Sequence, residues 1–347
     1  MAEFKGKVAF GIRLPNSGPL ASPENIRKIG LEAENLGFDA VTAHDHVSFG
    51  HAERYHFSLG TAEKVDENEK LGLPVTLFYE TVTSFAYLAG MTKRIKFIPA
   101  SWVLAWRHPV LLAKQACTLY ELSGGRLIFC VTLGNFRPDF ASMNVPWKLK
   151  GRILNEYLEA LKHILDKKSE GPVSFRGDYV QISDLDFNPR PKSMPIWVGG
   201  TSSKAYERIA RYATGWLAGG EAPEDFEKSV PELSEVLKRY NRPLSDIDIG
   251  RQTFLKLGNS TDEAIKGVFK TVVGFYGGKE FAGEAEALVK KGTRNSFVGT
   301  PSDIIKVTQR YLDVGVRFHD VRLVGSTIDE ALGMMKVFSK EVVPSFN

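Results

Sequence analysis

Short apolar and β-branched runs alternate along the chain with longer segments whose apolar residues recur at helical spacing. We predict eight strands from the short runs, over Val8–Leu14, Asp39–Ala43, Ile95–Leu104, Arg126–Leu133, Pro195–Gly199, Gly215–Gly219, Ile247–Leu257 and His319–Val324. A helical pattern follows each strand, which is typical of a parallel sheet, and eight such units favour closure into a barrel. The sequence therefore predicts an α/β fold, a (β/α)8 TIM barrel, formed by a single domain over residues 1–347.

Three insertions interrupt the alternation, after the predicted strands 2, 4 and 7. Residues 45–74 form a long mixed connection, residues 173–187 resemble a small two-stranded excursion, and residues 277–298 are Gly-rich and charged. Long connections in compact domains usually carry function. We therefore expect the first and third insertions to act as lids over a site.

The composition is that of an ordinary globular protein, with 43% apolar and 25% charged residues and a net charge of +4. No apolar run approaches the roughly 18 residues of a membrane span, and basic residues are interleaved with acidic ones. We therefore expect neither a membrane nor a nucleic acid as partner. Cys117 and Cys130 are the only cysteines and form no disulfide framework, which fits a cytoplasmic location.

Barrel enzymes carry their chemistry on the loops that follow the strands. The loop after predicted strand 5 reads Gly199, Gly200, Thr201, Ser202 and leads into a helix. Glycines allow close backbone approach, and the N–H groups and hydroxyls at a helix start bind phosphate. We predict a phosphate site there. The alternative is a tight strand-to-helix turn with a serine cap.

The loop after predicted strand 2 begins with His44, Asp45 and His46. A histidine at this edge can donate a hydrogen bond or act as acid or base, and the alternative is a rim histidine without a role. The His-x-His spacing also resembles metal-dependent hydrolase barrels. Those barrels need further ligands on later strands, and His319 and Asp320 begin strand 8 at the opposite end. We therefore expect no metal.

Other candidates follow predicted strands 3 and 4. Ser101 and Trp102 end strand 3, and an indole ring suits contact with a flat heterocycle, although core packing is the alternative. Asn135 and Asp139 follow strand 4 and supply polar groups at the same edge.

Four segments carry a resemblance to a known family. They are HPVLLAKQACTLYELSGGRLIF (108–129), GFDAVTAHDHV (37–47), FRGDYVQI (175–182) and RPKSMPIWVGGTSSKAYERIARYATGW (190–216). They closely resemble the bacterial luciferase-like flavin oxidoreductase superfamily, and the similarity runs from about residue 8 to 325. The combination of LSGGR with a later IWVGG is specific to that superfamily.

The resemblance implies a (β/α)8 barrel, often a homodimer, that binds FMN or coenzyme F420 and acts on a small organic substrate. It places His46 near the cofactor ring with Asp45 beside it as catalytic residues, and it makes Gly199–Ser202 the phosphate loop. It further implies a non-proline cis peptide at the end of strand 3, near Ser101 and Trp102.

The sequence leaves the choice between FMN and coenzyme F420 open. Asp-His after strand 2 is common among users of coenzyme F420, which transfer hydride, and the positive net charge suits the polyglutamate tail of that coenzyme. An FMN-dependent monooxygenase is the alternative, followed by a non-catalytic flavin-binding protein. Cys130 and Thr132 stand where the family usually has glycines.

Overall fold

The computed structural model describes residues 2–4, 6–47, 77–166, 171–276 and 295–346. Most of the first predicted lid, 45–74, and most of the second, 277–298, therefore lie outside the described residues.

A parallel sheet forms the centre of the fold. Its strands are β1 (Ala9–Arg13), β2 (Ala40–Ala43), β3 (Lys96–Pro99), β4 (Trp102–Val103), β5 (Phe129–Thr132), β8 (Ile196–Gly199), β9 (Gly215–Ala218), β10 (Asp248–Leu257), β11 (Phe297–Gly299) and β12 (Phe318–Leu323). Neighbours run in the order β3-β2-β1-β12-β10-β9-β8-β5-β4, and all these pairs are parallel. The Phe97 N–H donates to the Arg126 carbonyl at 2.9 Å, which joins β3 to the chain entering β5 and closes the barrel. The predicted TIM barrel is confirmed.

Two details of the strands differ from the prediction. The third strand is not one run but two, β3 and β4, and the Ala100–Ser101 peptide bond between them is cis, as the resemblance implies. The short strand β11, which pairs with β10, was missed because it lies at the end of a segment that resembles an insertion. The excursion after strand 4 is confirmed as an antiparallel hairpin of β6 (Val173–Arg176) and β7 (Gln181–Leu185).

Helices follow the strands in the expected alternation. They are α1 (Pro23–Asn35), α2 (Thr81–Ala89), α3 (Pro109–Leu122), α4 (Arg137–Ser142), α5 (Lys150–Leu165), α6 (Ser203–Tyr212), α7 (Pro223–Arg239), α8 (Thr261–Tyr276), α9 (Pro301–Asp313) and α10 (Ile328–Glu341). No helix of the described residues is long and apolar enough to cross a membrane. The short α4 was not predicted, because six residues show too little of a helical period.

The core has two layers, since side chains along a strand point alternately to opposite faces. The larger layer packs the helices against the outside of the sheet. The smaller layer fills the barrel interior, where Trp197 and Phe318 lie edge to face at 5.3 Å. Phe4 stacks on Phe318 at 5.4 Å and forms an apolar floor, and its backbone N–H donates to the Asp248 carboxylate.

Candidate functional site

A polar layer lies above the apolar floor, at the carboxyl ends of the strands. Arg13 of β1 and Asp320 of β12 form a fully buried ion pair, and the Thr42 hydroxyl donates to the same carboxylate at 2.6 Å. Burial, reinforced by the charge of Arg322, lowers the pKa of Arg13 to about 9. Asp320 therefore balances the charge of Arg13 from the third residue of β12, whereas the sequence analysis placed it at the start of that strand.

The chain brings His46 and Asp139 together, although 93 residues separate them. His46 follows β2, and Asp139 lies in the first turn of α4 after β5. The His46 Nδ1 atom lies 2.9 Å from Asp139 Oδ2, and the carboxylate is only 1% exposed. The rings of Phe78 and Phe136 lie edge-on to the imidazole, at centroid distances of 5.5 and 5.7 Å. Among the described residues, this histidine–carboxylate pair is thus flanked by two aromatic rings.

The pair favours one tautomer of the imidazole. A buried carboxylate only accepts hydrogen bonds, so Nδ1 carries a proton that it donates to Asp139. In the neutral ring, Nε2 is then the basic nitrogen. Such a ring can accept or deliver a proton at Nε2 without changing its orientation.

Asp45, the residue before His46, lies in a different environment from His46. Its carboxylate forms an ion pair with Arg107 and accepts the backbone N–H of Val103 at 2.8 Å. Burial raises the pKa of Asp45, and the charge of Arg107 opposes that rise. Asp45 therefore holds β4 and the turn that follows it in place, next to His46.

His44 and His46 face different partners. The His44 Nε2 atom lies 3.1 Å from the Arg13 guanidinium, which can only donate, whereas His46 faces Asp139. Burial and the Arg13 charge hold the pKa of His44 well below its usual value. No group of three potential metal ligands occurs among the described residues, and a ring beside a guanidinium is a poor ligand for a cation. This arrangement disfavours the His-x-His metal site.

Ser101 and Trp102 separate after the break between β3 and β4. The Cys130 thiol donates to the Ser101 hydroxyl at 3.2 Å, which places both at the interior face of the barrel. Trp102 lies on the opposite face, wholly buried, with its ring edge-on to Phe129 at 5.2 Å. Its side chain is thus part of the core between sheet and helices, where a bound ring has no access to it.

The loop after β8 has the geometry of a close-approach loop. Gly200 has a φ of 112°, which side chains rarely adopt, and a Cβ at Gly199 would lie 3.3 Å from both the Leu217 carbonyl and the Thr132 side chain. Ser202 caps α6 by accepting the Ala205 N–H at 3.2 Å, and the side chain of Thr201 is exposed. The structure therefore shows the tight turn with a serine cap, and the phosphate site at the same helix start stays a prediction.

Sequence reasoning missed two residues that hold this region. The Trp216 indole donates to the Gly200 carbonyl at 2.8 Å and so fixes the loop from the neighbouring strand β9. The Lys150 ammonium donates to the Gly134 carbonyl at 2.8 Å, directly before the exposed Asn135, and burial lowers its pKa to about 8. Trp216 lies in segment 190–216, which resembles the family, but the apolar pattern around it predicted only a strand and no contact with the glycine loop.

A cavity of about 90 Å³ lies beside His44, between the loops after β1 and β12. Its lining combines the guanidinium side chains of Arg13 and Arg322 with the apolar Leu14 and Phe254. This space admits several waters or one small polar group.

The fold is similar to those of several solved enzymes. The tetrahydromethanopterin reductase from Methanopyrus kandleri, described as dependent on coenzyme F420, superposes with a TM-score of 0.74 at 21% identity, over 98% of this chain and 100% of that chain. An F420-dependent secondary alcohol dehydrogenase gives 0.77 at 16% identity, over 98% and 99%. At these identities the likeness shows the fold.

Curated relatives match part of the sequence. The 5,10-methylenetetrahydromethanopterin reductase of Methanopyrus kandleri is 30% identical over 201 residues, which is 54% of this chain and 57% of that protein. The FMNH2-dependent dimethylsulfone monooxygenase of Pseudomonas putida is 26% identical over 201 residues, 56% of this chain and 53% of that protein. The match thus spans little more than half the length of each.

The family described as luciferase-like monooxygenase matches residues 7–317. That range includes β1 and the other strands of the barrel up to β11, the His46–Asp139 pair and the glycine loop after β8. On this match over most of its length, the chain belongs to the luciferase-like monooxygenase family.

Proposed function

We propose that this chain is a flavin- or deazaflavin-dependent oxidoreductase that acts on a small organic substrate, with coenzyme F420 as the favoured cofactor. The observation that carries the proposal is the His46–Asp139 pair, held at 2.9 Å at the carboxyl edge of a family barrel. An oriented imidazole at that edge can exchange a proton with a reacting group.

The residues present fit a cofactor phosphate. Gly199 and Gly200 leave a cradle that a Cβ would fill, and α6 directs its first N–H groups towards it. Thr201 adds an exposed hydroxyl, and Trp216 fixes the carbonyl of Gly200. We therefore propose that Gly199–Ser202 bind the phosphate, while Ser101, Asn135 and Asp139 lie on the side of the ring.

The bound cofactor supplies the hydride chemistry, and the protein supplies position, electrostatics and water exclusion. His46 holds its Nδ1 proton towards Asp139 and presents Nε2 as the site of proton exchange with the substrate oxygen. Asp45 acts through Arg107 and Val103 and is a positioning residue in this scheme. Phe78 and Phe136 cover part of the imidazole with apolar surface, and exclusion of water strengthens hydrogen bonds.

Hydride transfer with coenzyme F420 is favoured by Asp45-His46 and by the reductase of Methanopyrus kandleri, at 30% identity. An FMN-dependent monooxygenase is the second candidate, supported by the dimethylsulfone monooxygenase at 26% identity. The cavity beside His44 fits a substrate with a small polar group.

The test is titration of the purified protein with FMN and with coenzyme F420 in separate experiments. We expect submicromolar to micromolar binding of coenzyme F420, weaker binding of FMN, and turnover without oxygen. Tighter binding of FMN with oxygen consumption would establish the second candidate instead. Binding of neither would refute both.

We further propose a homodimer formed through α2 and α3. Tyr87 and Met91 expose apolar surface at the end of α2, and Leu111 and Leu122 are 59% and 72% exposed on one face of α3. We expect light scattering to give a mass of twice the 38.6 kDa of one chain. Leu111→Lys with Leu122→Lys should produce monomers, whereas Met143→Lys, also at an exposed apolar residue, should not.

For the location we propose the cytoplasm. Both cysteines are free and buried, and burial raises the pKa of Cys117 and of Cys130 to about 12, so both remain thiols at neutral pH. Fractionation of cells that produce the protein tests this location.

A further inference from the structure

A second candidate region for binding an anion lies outside the mouth of the barrel. An open cleft of about 490 Å³ runs between the start of α5 and the exposed side of α6. Five cationic side chains line it, Lys148, Arg152, Lys204, Arg208 and Arg211. We call it the α5–α6 cleft.

The α5–α6 cleft has a large excess of positive charge. Its one acidic residue, Glu207, is already engaged by Arg239 at 2.6 Å and by the Tyr240 hydroxyl at 2.8 Å. Within the part of the chain that the structure describes, neither Lys148 nor Arg152 has a carboxylate within ion-pair distance, and the same holds for Lys204. Arg211 is paired with Glu159 at 3.4 Å, so the uncompensated charge comes from the other cations. Cations that lie close together without counter-charge attract a polyanion.

One of the five cations is built into the protein rather than displayed on its surface. Arg208 is only 5% exposed, and its Nε donates to the Asn155 side chain at 2.6 Å. Burial lowers the pKa of Arg208. A buried guanidinium that bonds an uncharged amide leaves its positive charge to act on the cleft.

The position of the α5–α6 cleft relates it to the proposed cofactor. Lys204 lies in the first turn of α6, two residues after Ser202, so the cleft begins beside the proposed phosphate loop. FMN ends at its phosphate, whereas coenzyme F420 continues beyond it into a chain of glutamates. We propose that the α5–α6 cleft binds the carboxylates of this polyglutamate tail and thereby selects coenzyme F420 over FMN. This inference rests on the proposed function.

The test compares three probes by fluorescence or absorbance titration: coenzyme F420 with several glutamates, the same coenzyme with none, and FMN. Exposed ion pairs contribute up to about 1 kcal/mol each, so the wild-type protein should bind the long-tailed form roughly 5- to 30-fold more tightly than the tailless form. This preference should shrink at about 0.5 M salt, because salt screens exposed charges. Lys148→Gln with Arg152→Gln and Lys204→Gln should abolish it and leave binding of the tailless form within twofold.

The control variant removes three cations elsewhere, Lys93, Lys266 and Lys340, each replaced by glutamine, and should retain the preference. A wild-type protein that binds both tail lengths equally overturns this inference and leaves the proposed function standing. A triple variant that weakens both forms equally also overturns it, because the α5–α6 cleft would then act on the phosphate or through net charge. Binding of FMN alone overturns the choice of coenzyme F420 and this inference with it.

Discussion

Replacing His46 by alanine should separate chemistry from cofactor binding. The imidazole lies 2.9 Å from Asp139 at the carboxyl edge of the barrel, whereas the proposed phosphate loop lies on α6 after β8. Cofactor affinity should therefore stay within about tenfold of the wild-type value. The chemical step should slow by roughly 10²-fold or more, which is the usual contribution of a positioned acid or base.

Asp139→Asn should give a smaller effect of the same kind. The amide oxygen can still accept from Nδ1, but the bond loses its charge-assisted part, and neutral hydrogen bonds are roughly half as strong. The loss of about 1–1.5 kcal/mol corresponds to a rate about tenfold slower. The order of damage should be His46→Ala, then Asp139→Asn, then His44→Ala, because His44 is held neutral beside Arg13.

Single-turnover rates and cofactor titrations of the same three variants test this order of damage. If His44→Ala were the most damaged variant, the roles of the two histidines would have to be exchanged. If both histidine variants lost a bound metal together with activity, the metal interpretation would replace the present one. An Asp139→Asn protein as fast as the wild type would remove the carboxylate from the chemistry.

Three further predictions concern the loop after β8 and the loop after β9. Thr201→Val with Ser202→Ala should weaken cofactor binding by about 1–3 kcal/mol and stability by about 1 kcal/mol, whereas Ser22→Ala, which removes the cap of α1, should lower only stability in thermal melts. Trp216→Phe should weaken cofactor binding by about 1 kcal/mol in the same titration, because the Gly200 carbonyl loses its donor; unchanged affinity would refute this role. Burial raises the pKa of Glu221, so ionisation destabilises the folded state as pH rises through that pKa; Glu221→Gln should equal the wild type in urea unfolding near pH 4 and exceed it at pH 7, and a constant difference would contradict this.

The alternation of strands and helices was enough to predict the barrel, because each strand must bury its apolar residues and each helix one face. The direction of single side chains was not. Ile98 and Ala100 point into the barrel, so simple alternation would also point Trp102 inwards. The break between β3 and β4 resets this alternation, and Trp102 lies in the outer layer. The pattern of apolar residues does not mark such a break, and only the family resemblance placed a cis peptide there.

The candidate site was predictable by position but not by partner. The rule that barrel chemistry follows the strands placed His46 and Asp139 at one edge, and the structure brings them into contact. The ion pair of Asp45 with Arg107 was not foreseen, because nothing in the local pattern links residues 62 positions apart. Long-range polar pairs of this kind depend on the register of whole strands, which single-sequence patterns do not fix.

The apolar floor has a consequence for ligand traffic. Phe4 seals the lower end of the barrel against Phe318 and Trp197, so the interior is a cup with one opening rather than a tube. Whatever reaches the polar layer around Arg13 enters and leaves on the same side. We expect a second ligand that arrives at this opening to cover the first, so that the first departs only after it. The architecture therefore favours a compulsory order of binding and release in steady-state kinetics.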